Sequence, residues 1–122
     1  MGRLYHFEIP AKDIPAVAKF YTEVLDWKVQ KWDGPVDYYI ITTGPDGEPG
    51  INGGFYSPSE SVSGVVNTSD VADIDEAARK VVANGGTIVE PKMPVPGVGW
   101  LVYAKDPEGN IFGMMQPDMN LK

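Results

Sequence analysis

The strongest constraint on the fold of this chain is an internal repeat that spans most of its length. A shift of 60 positions aligns Asp13 and Ile14 with Asp73 and Ile74. The same shift places four residues of the first half, Asp46, Glu48, Ile51 and Gly53, on Asp106, Glu108, Ile111 and Gly113. Solenoids need at least three repeats, so two copies favour a duplicated module instead. The repeat therefore predicts two similar halves that share one core.

The first half contains one helix and four extended runs. Residues 4–9 are apolar and aromatic and end at Pro10, which is typical of a strand. From Asp13, a plausible N-cap, apolar residues recur at helical spacing as far as Leu25. Three more extended runs, at 27–32, 37–43 and 51–56, are separated by Gly-Pro turns. The order of this half is therefore predicted to be βαβββ.

The second half repeats that order and completes an α+β domain. A strand at 64–68 precedes a helix that Asp73 caps and that Gly85 and Gly86 end. Strands are predicted at 87–90, 99–105 and 111–116, with a proline-rich link at 91–96. We predict a single domain over 1–122, made of module one at 1–57, an exposed linker at 58–63 and module two at 64–122.

Composition narrows the functional classes. The 122 residues are 43% hydrophobic and 22% charged, as in an ordinary globular domain. No apolar run reaches the roughly 18 residues that cross a bilayer and no signal peptide begins the chain, so we expect a cytoplasmic protein without membrane contact. A net charge of −7 opposes nucleic-acid binding, and it favours solubility ahead of the alternative, attraction of a small cationic ligand. The absence of cysteine restricts any metal site to nitrogen and oxygen ligands.

Three segments carry a resemblance to a known family. The segments HFEIP at 6–10, GVGW at 97–100 and DPEGNIFG at 106–113 resemble the vicinal oxygen chelate superfamily, which contains glyoxalase I, bleomycin-resistance proteins and extradiol dioxygenases. The resemblance implies two tandem βαβββ modules that form a curved half-barrel around a cavity, and commonly a homodimer. In the enzymes of this family, a divalent ion in the cavity is held by the first and last strands of each module.

The resemblance also implies a set of metal ligands that is incomplete in this chain. The ligand position on the first strand matches His6, the only histidine, and the position on the last strand matches Gln116. The other two positions fall on Tyr56 and on Val66, or Val65 if the alignment slips by one, and neither side chain is a good ligand. A catalytic ion normally has about three protein ligands. A bound divalent metal and no metal therefore remain equal alternatives.

His6 and Glu8 each allow two interpretations. Side chains alternate along a strand, so both should face the cavity. His6 is either a metal ligand or a hydrogen-bonded cavity histidine. Glu8 is either a further metal ligand and catalytic base, or a polar group at the rim that holds His6 in place.

Further residues are candidates for ligand contacts. The glycines before Trp100 leave room for it to stack on a ligand, although it could equally pack in the core or in a dimer. Phe112 and Met114 share a face with Gln116, and Tyr56 matches it in the first module. Two functions follow: a bleomycin-resistance-like protein that binds a small molecule without metal, or a metal-dependent lyase, isomerase or dioxygenase acting on vicinal oxygens. The sequence does not identify the ligand.

Overall fold

The computed structural model describes residues 2–122 and contains two helices and one curved, unclosed sheet of eight strands. The elements are β1 (Leu4–Pro10), α1 (Ile14–Leu25), β2 (Lys28–Lys31), β3 (Tyr38–Thr42), β4 (Asn52–Tyr56), β5 (Val66–Asp70), α2 (Ile74–Ala83), β6 (Thr87–Val95), β7 (Gly99–Lys105) and β8 (Ile111–Pro117). The predicted α+β fold and the repeated βαβββ order are confirmed.

The sheet repeats the same strand arrangement on either side of its centre. Its order is β2-β3-β4-β1-β5-β8-β7-β6, with β1 parallel to β4 and β5 parallel to β8. The two halves meet where β1 pairs antiparallel with β5, with His6 opposite Thr68 and Glu8 opposite Val66. The first strands of the two modules are therefore neighbours, and their side chains lie together at the middle of the sheet.

Each helix begins at an aspartate in equivalent positions. The Asp13 carboxylate accepts a hydrogen bond from the backbone N–H of Ala16, and the Asp73 carboxylate accepts one from Glu76. These bonds satisfy amide groups that a helix leaves without partners in its first turn. Ile14 and Ile74, the first residue of each helix, are almost fully buried. Within residues 2–122, neither helix has the length and apolar character needed to span a membrane.

Both helices pack on the same face of the sheet. Phe7 packs in the cluster under α1, and Met114 packs in the cluster under α2. The strand pairings connect these two residues through β5, because Phe7 lies opposite Asn67 and Met114 lies opposite Ser69. Paired residues point to the same face, as do residues two apart on one strand. We call the opposite, helix-free face the inner face.

The structure differs from the sequence prediction at 91–96. β6 runs from Thr87 to Val95 and so includes Pro91 and Pro94, where a link was expected. β6 is the last strand of the sheet, and its pairing with β7 is irregular between Ile88 and Met93. An edge strand tolerates proline because one side of it needs no hydrogen-bond donors.

The connection between the modules also differs from the prediction. Residues 58–63 were expected to be exposed, but Val62 is only 8% exposed and packs against Tyr56 and Val66. The apolar side chain is covered because the connection folds against the inner face. A single valine in a polar segment forms no periodic pattern, so its burial could not be predicted from the sequence.

Candidate functional site

The candidate site lies on the inner face and is centred on β1. Phe7 and Ile9 pack towards α1, so the alternation of the strand places His6 and Glu8 on the inner face, as predicted. Glu8 is 7% exposed. In the described part of the chain, Glu8 and Thr68 are the two polar residues that are buried. A buried carboxylate is costly without hydrogen bonds, so its partners are informative about its role.

Glu8 accepts a hydrogen bond from Tyr103. The hydroxyl of Tyr103, on β7 of the second module, lies 2.6 Å from Oε1 of Glu8. Burial, and then the negative charge of Glu8, raise the pKa of Tyr103 above its ordinary value of 10.0. The hydroxyl therefore stays protonated and remains a donor at neutral pH. The bond joins two strands that come from different modules.

His6 forms the second hydrogen bond of the site. Its Nε2 lies 2.7 Å from the hydroxyl of Tyr38 on β3. Burial lowers the pKa of His6 below 6.5, although the charge of Glu8 opposes this in part. Burial and the charge of Glu8 also raise the pKa of the Tyr38 hydroxyl. At neutral pH the pair therefore consists of a neutral imidazole and a protonated phenol, which are joined by one hydrogen bond.

Gly54 on β4 makes the contact between His6 and Tyr38 sterically feasible. A Cβ atom at position 54 would overlap the ring of Tyr38, which crosses β4 to reach His6. Gly54 also lies opposite Glu8 in the parallel pairing of β1 and β4. The absence of a side chain at position 54 therefore leaves space for the ring of Tyr38 and allows its hydroxyl to reach His6.

Tyr56 also faces this side but is directed towards the connection between the modules. Its hydroxyl donates a hydrogen bond of 2.6 Å to the carbonyl oxygen of Gly64. The ring packs with Val62 and Val66, and Tyr38 and Tyr103 pack against the same cluster. Tyr56 is therefore close to the predicted site, but its hydroxyl already donates its proton to a backbone carbonyl.

The predicted placement of Gln116 on the inner face is wrong. Its Oε1 accepts a hydrogen bond of 3.0 Å from the backbone N–H of Ile74, at the start of α2. Met114, Phe112 and Trp100 belong to or pack against the cluster under the same helix. These four residues therefore lie on the face opposite His6 and Glu8.

A one-residue slip in the match of the last strand to the family pattern explains this error. Glu8 and Thr68 occupy equivalent places six residues before the first residue of each helix. Glu8 pairs with Gly54, whereas Thr68 pairs with Gly113. The last strand of the second module is therefore equivalent to that of the first after a shift of 59, not 60. Shifting a strand by one residue moves every side chain to the other face.

The residues at the ligand positions of the resemblance do not fit a divalent metal ion. His6 is hydrogen-bonded to Tyr38, the Tyr56 hydroxyl is bonded to Gly64, and Val66 has no donor atom. The corrected register places Met115, instead of Gln116, at the position equivalent to Tyr56. Among residues 2–122 no three histidine or acidic side chains are grouped as metal ligands. A divalent ion needs about three good nitrogen or oxygen ligands, and within this set only the imidazole of His6 is one.

Tyr38 and Tyr103 are the site residues that sequence reasoning missed. The alternation of β3 predicts only that Tyr38 and Tyr39 face opposite sides, and Tyr39 proves to pack under α1. Tyr103 shows no pattern that distinguishes it from an ordinary strand aromatic. Their convergence on β1 depends on pairings between strands that are far apart in the chain, so only the sheet order reveals it.

Surface depressions lie elsewhere on the molecule. One of about 180 Å³ is enclosed by the loop 43–50 and Asn52, and one of about 270 Å³ lies between Asp70, Val71, Ala72 and Pro117. Neither is lined by His6 or Glu8. Tyr38 and Tyr103, which bond to the polar residues of β1, pack instead against the cluster that contains Val62.

Comparison with known proteins places the chain in a family. The model of the Glyoxalase/Bleomycin resistance protein/Dioxygenase superfamily matches residues 3–114. The chain therefore belongs to this superfamily, which confirms the resemblance seen in the sequence. No curated protein matches the chain closely enough to be counted as a relative.

Solved structures share the fold at low sequence identity. A hypothetical protein from Bacillus halodurans is 18% identical, with a TM-score of 0.71 over 99% of this chain and 98% of that one. Methylmalonyl-CoA epimerase from Mycobacterium tuberculosis is 15% identical, with a TM-score of 0.69 over 96% and 88%. A superfamily member from Vibrio splendidus is 21% identical, with a TM-score of 0.66 over 97% and 100%. At these identities the likeness shows the fold alone.

Proposed function

We propose that this protein binds a small organic molecule on the inner face of its sheet without the help of a metal ion. The observation that carries the proposal is the buried carboxylate of Glu8, hydrogen-bonded to Tyr103 beside the pair of His6 and Tyr38. Binding sites commonly combine apolar walls with a few fixed polar groups that orient the ligand. The inner face has both kinds of group, whereas His6 alone of the side chains at its metal-ligand positions is a good metal ligand.

The charge of the site favours a ligand with a cationic or strongly donating nitrogen. Glu8 accepts hydrogen bonds, and the chain as a whole carries a net charge of −7. An acidic protein raises the local concentration of cations near its surface. The rings of Tyr38, Tyr56 and Tyr103 add apolar and aromatic contact area. The description of the superfamily includes bleomycin-resistance proteins as well as enzymes, so a binding role falls within its range.

A pair of matched probes tests this proposal. Benzylamine is cationic at neutral pH, and benzyl alcohol is a neutral analogue of similar shape. His6 is the only histidine, so one imidazole signal in an NMR spectrum reports on the site. We expect benzylamine to shift this signal in a saturable way and benzyl alcohol to bind at least 10-fold more weakly, since a charged hydrogen bond adds about 1.5 kcal/mol or more.

Two variants with the same net charge make the test specific. Glu8→Gln should weaken benzylamine binding at least 10-fold, because it removes the charged acceptor of the site. Glu108→Gln removes one negative charge from an exposed position outside the site and should leave the affinity within about twofold. Equal affinities for the two probes, or equal effects of the two variants, would contradict the proposal.

A second candidate function is proton transfer by Glu8. A carboxylate that is shielded from water and held by a tyrosine is placed as a general base requires. Methylmalonyl-CoA epimerases are among the structural neighbours, and a C–H next to a thioester carbonyl is acidic enough to be inverted by removal and return of its proton. Incubation with methylmalonyl-CoA in D₂O should then incorporate deuterium next to the carbonyl group, and Glu8→Gln should abolish the exchange. No incorporation above the rate of the buffer would exclude this candidate for that substrate.

We further propose a homodimer, as the resemblance implies. Large apolar side chains on α1, Phe20, Val24 and Leu25, are at least half exposed, which is costly in an isolated chain. Sedimentation equilibrium should give twice the chain mass of 13.3 kDa at micromolar concentration. A mass of one chain at every concentration would refute the dimer.

A further inference from the structure

The connection between the modules packs against a cluster that borders the proposed binding site. We call residues 57–64 the strap. Val62, its one buried residue, packs with Tyr56 and Val66. Tyr38 and Tyr103 pack against the same cluster. These are the two tyrosines that bond to His6 and Glu8, so the apolar side chain of the strap lies against the walls of the site.

The pairing of β1 with β5 gives a second indication of where Val62 lies. Val66 is fully buried and sits directly opposite Glu8 in the antiparallel pair. Val62 contacts Val66 from the strap, on the inner face. Glu8 is therefore paired with a residue that Val62 packs against, and its donor Tyr103 packs against the same cluster.

The strap is attached by a small number of hydrogen bonds. Ser61 donates a hydrogen bond to the carboxylate of Glu90 on β6, and Tyr56 donates one to the carbonyl of Gly64. A tight turn adds two more between Ser59 and Val62. Segments with few buried apolar contacts open at a lower free energy than the sheet that they cover. The strap therefore has the contact pattern of a segment that opens by itself.

Gly64 gives one end of the strap a special backbone. Its φ is +87°, in the left-handed region that residues with a side chain rarely adopt. Gly64 is exposed, and a Cβ atom there would meet nothing. The glycine is therefore required for its conformation and not for space, as expected of a turn that sets the direction of the strap.

We propose that the strap is a gate over the inner face and that Val62 determines the size of the molecule that the site accepts. Ligand entry requires the bond between Ser61 and Glu90 to break and Val62 to leave the tyrosine cluster. The inference rests on the proposed binding function for its ligand. The opening of the strap itself is measurable without any ligand.

Hydrogen exchange tests the gate directly. The N–H of Val62 bonds to Oγ of Ser59 within the strap, and Val62 itself is buried, so exchange of this amide reports loss of the packed conformation of the strap. We expect this amide to exchange at least about 100-fold faster than the N–H of Phe7 at the centre of the sheet. Ser61→Ala should accelerate exchange at Val62 about 10-fold or more by removing a bond to a carboxylate. Ser63→Ala, at an exposed position of the strap, is the matched control and should change nothing.

The opposite result is equally clear. If the amide of Val62 exchanges as slowly as that of Phe7, and Ser61→Ala leaves it unchanged, the strap opens only when the protein unfolds and is not a gate. This outcome would not affect the binding proposal, because ligand binding is measured separately by titration with benzylamine.

A size comparison tests the role of Val62. Val62→Ala removes two methyl groups next to the tyrosines, and Val65→Ala is the control at a position 60% exposed. The affinity for 1-naphthylmethylamine relative to benzylamine should rise at least 10-fold in Val62→Ala and stay unchanged in Val65→Ala. An unchanged ratio in Val62→Ala, with the wild-type circular dichroism spectrum retained, would refute the size-determining role. Absence of benzylamine binding to all variants would refute the binding proposal instead.

Discussion

Removing the hydroxyl of Tyr103 should destabilise the protein by an amount that the structure sets. In Tyr103→Phe, Oε1 of Glu8 loses a donor at 2.6 Å while the carboxylate stays 7% exposed. Hydrogen bonds to charged groups contribute about 1.5–3 kcal/mol, and an unsatisfied buried carboxylate lies at the upper end of that range. With a urea m value of about 1–3 kcal/mol/M for a small domain, the unfolding midpoint should fall by about 1 M.

The assay for this prediction is urea unfolding at pH 7, followed by circular dichroism. Tyr39→Phe is the matched control, because Tyr39 packs under α1 on the opposite face and its hydroxyl makes no hydrogen bond among the described residues. Its free energy of unfolding should stay within about 0.5 kcal/mol of the wild type. A double-mutant cycle with Glu8→Gln should give a coupling energy above about 1 kcal/mol.

Two results would refute the reasoning. The first is a loss of stability in Tyr103→Phe no larger than that in Tyr39→Phe. The second is a coupling energy near zero between positions 8 and 103, which would mean that the short hydrogen bond does not contribute to the folded state.

Three further predictions concern the rest of the site and its surroundings. Because burial lowers the pKa of His6 below 6.5, the unfolded chain takes up a proton that the folded one does not, so stability should fall as pH decreases through 6.5 towards the pKa of the folded state. Urea midpoints between pH 8 and 5 should show a smaller decrease in His6→Gln, and identical slopes would contradict this. Gly54→Ala should displace Tyr38 and abolish its nuclear Overhauser contacts with His6, whereas retained contacts would show that the ring adapts elsewhere. Gln116→Ala should cost about 1 kcal/mol in thermal unfolding by leaving the N–H of Ile74 without its partner, and an unchanged Tm would disprove the capping role.

The fold was predictable because several local signals agree with one another. The aspartates at 13 and 73 cap helices in both halves, and apolar spacing, turn residues and the repeat all indicate the same order of elements. The prediction failed where tertiary context overrides a local signal. Pro91 and Pro94 indicate a link, yet they lie in a strand because β6 is at the edge of the sheet.

The candidate site was only half predictable for a related reason. β1 was oriented correctly by its own alternation, which placed His6 and Glu8 on the inner face. β8 was oriented through the resemblance, which placed Gln116 on the inner face by a match that is wrong by one residue, whereas the side chain bonds to the start of α2. Tyr38 and Tyr103 reach β1 from different modules, and a local sequence pattern does not predict contacts between strands that are so far apart in the chain. The strap was missed because one apolar residue gives no periodicity.

The central claim is that the polar residues of the inner face act through hydrogen bonds and do not coordinate a metal. The most direct test is to titrate the protein with Zn²⁺ and with Ni²⁺ while following the imidazole signal of His6, the single histidine. We predict that the signal keeps its position at one equivalent of either metal and that metal analysis finds no stoichiometric ion. A saturable shift at one equivalent that disappears in His6→Gln would contradict the account.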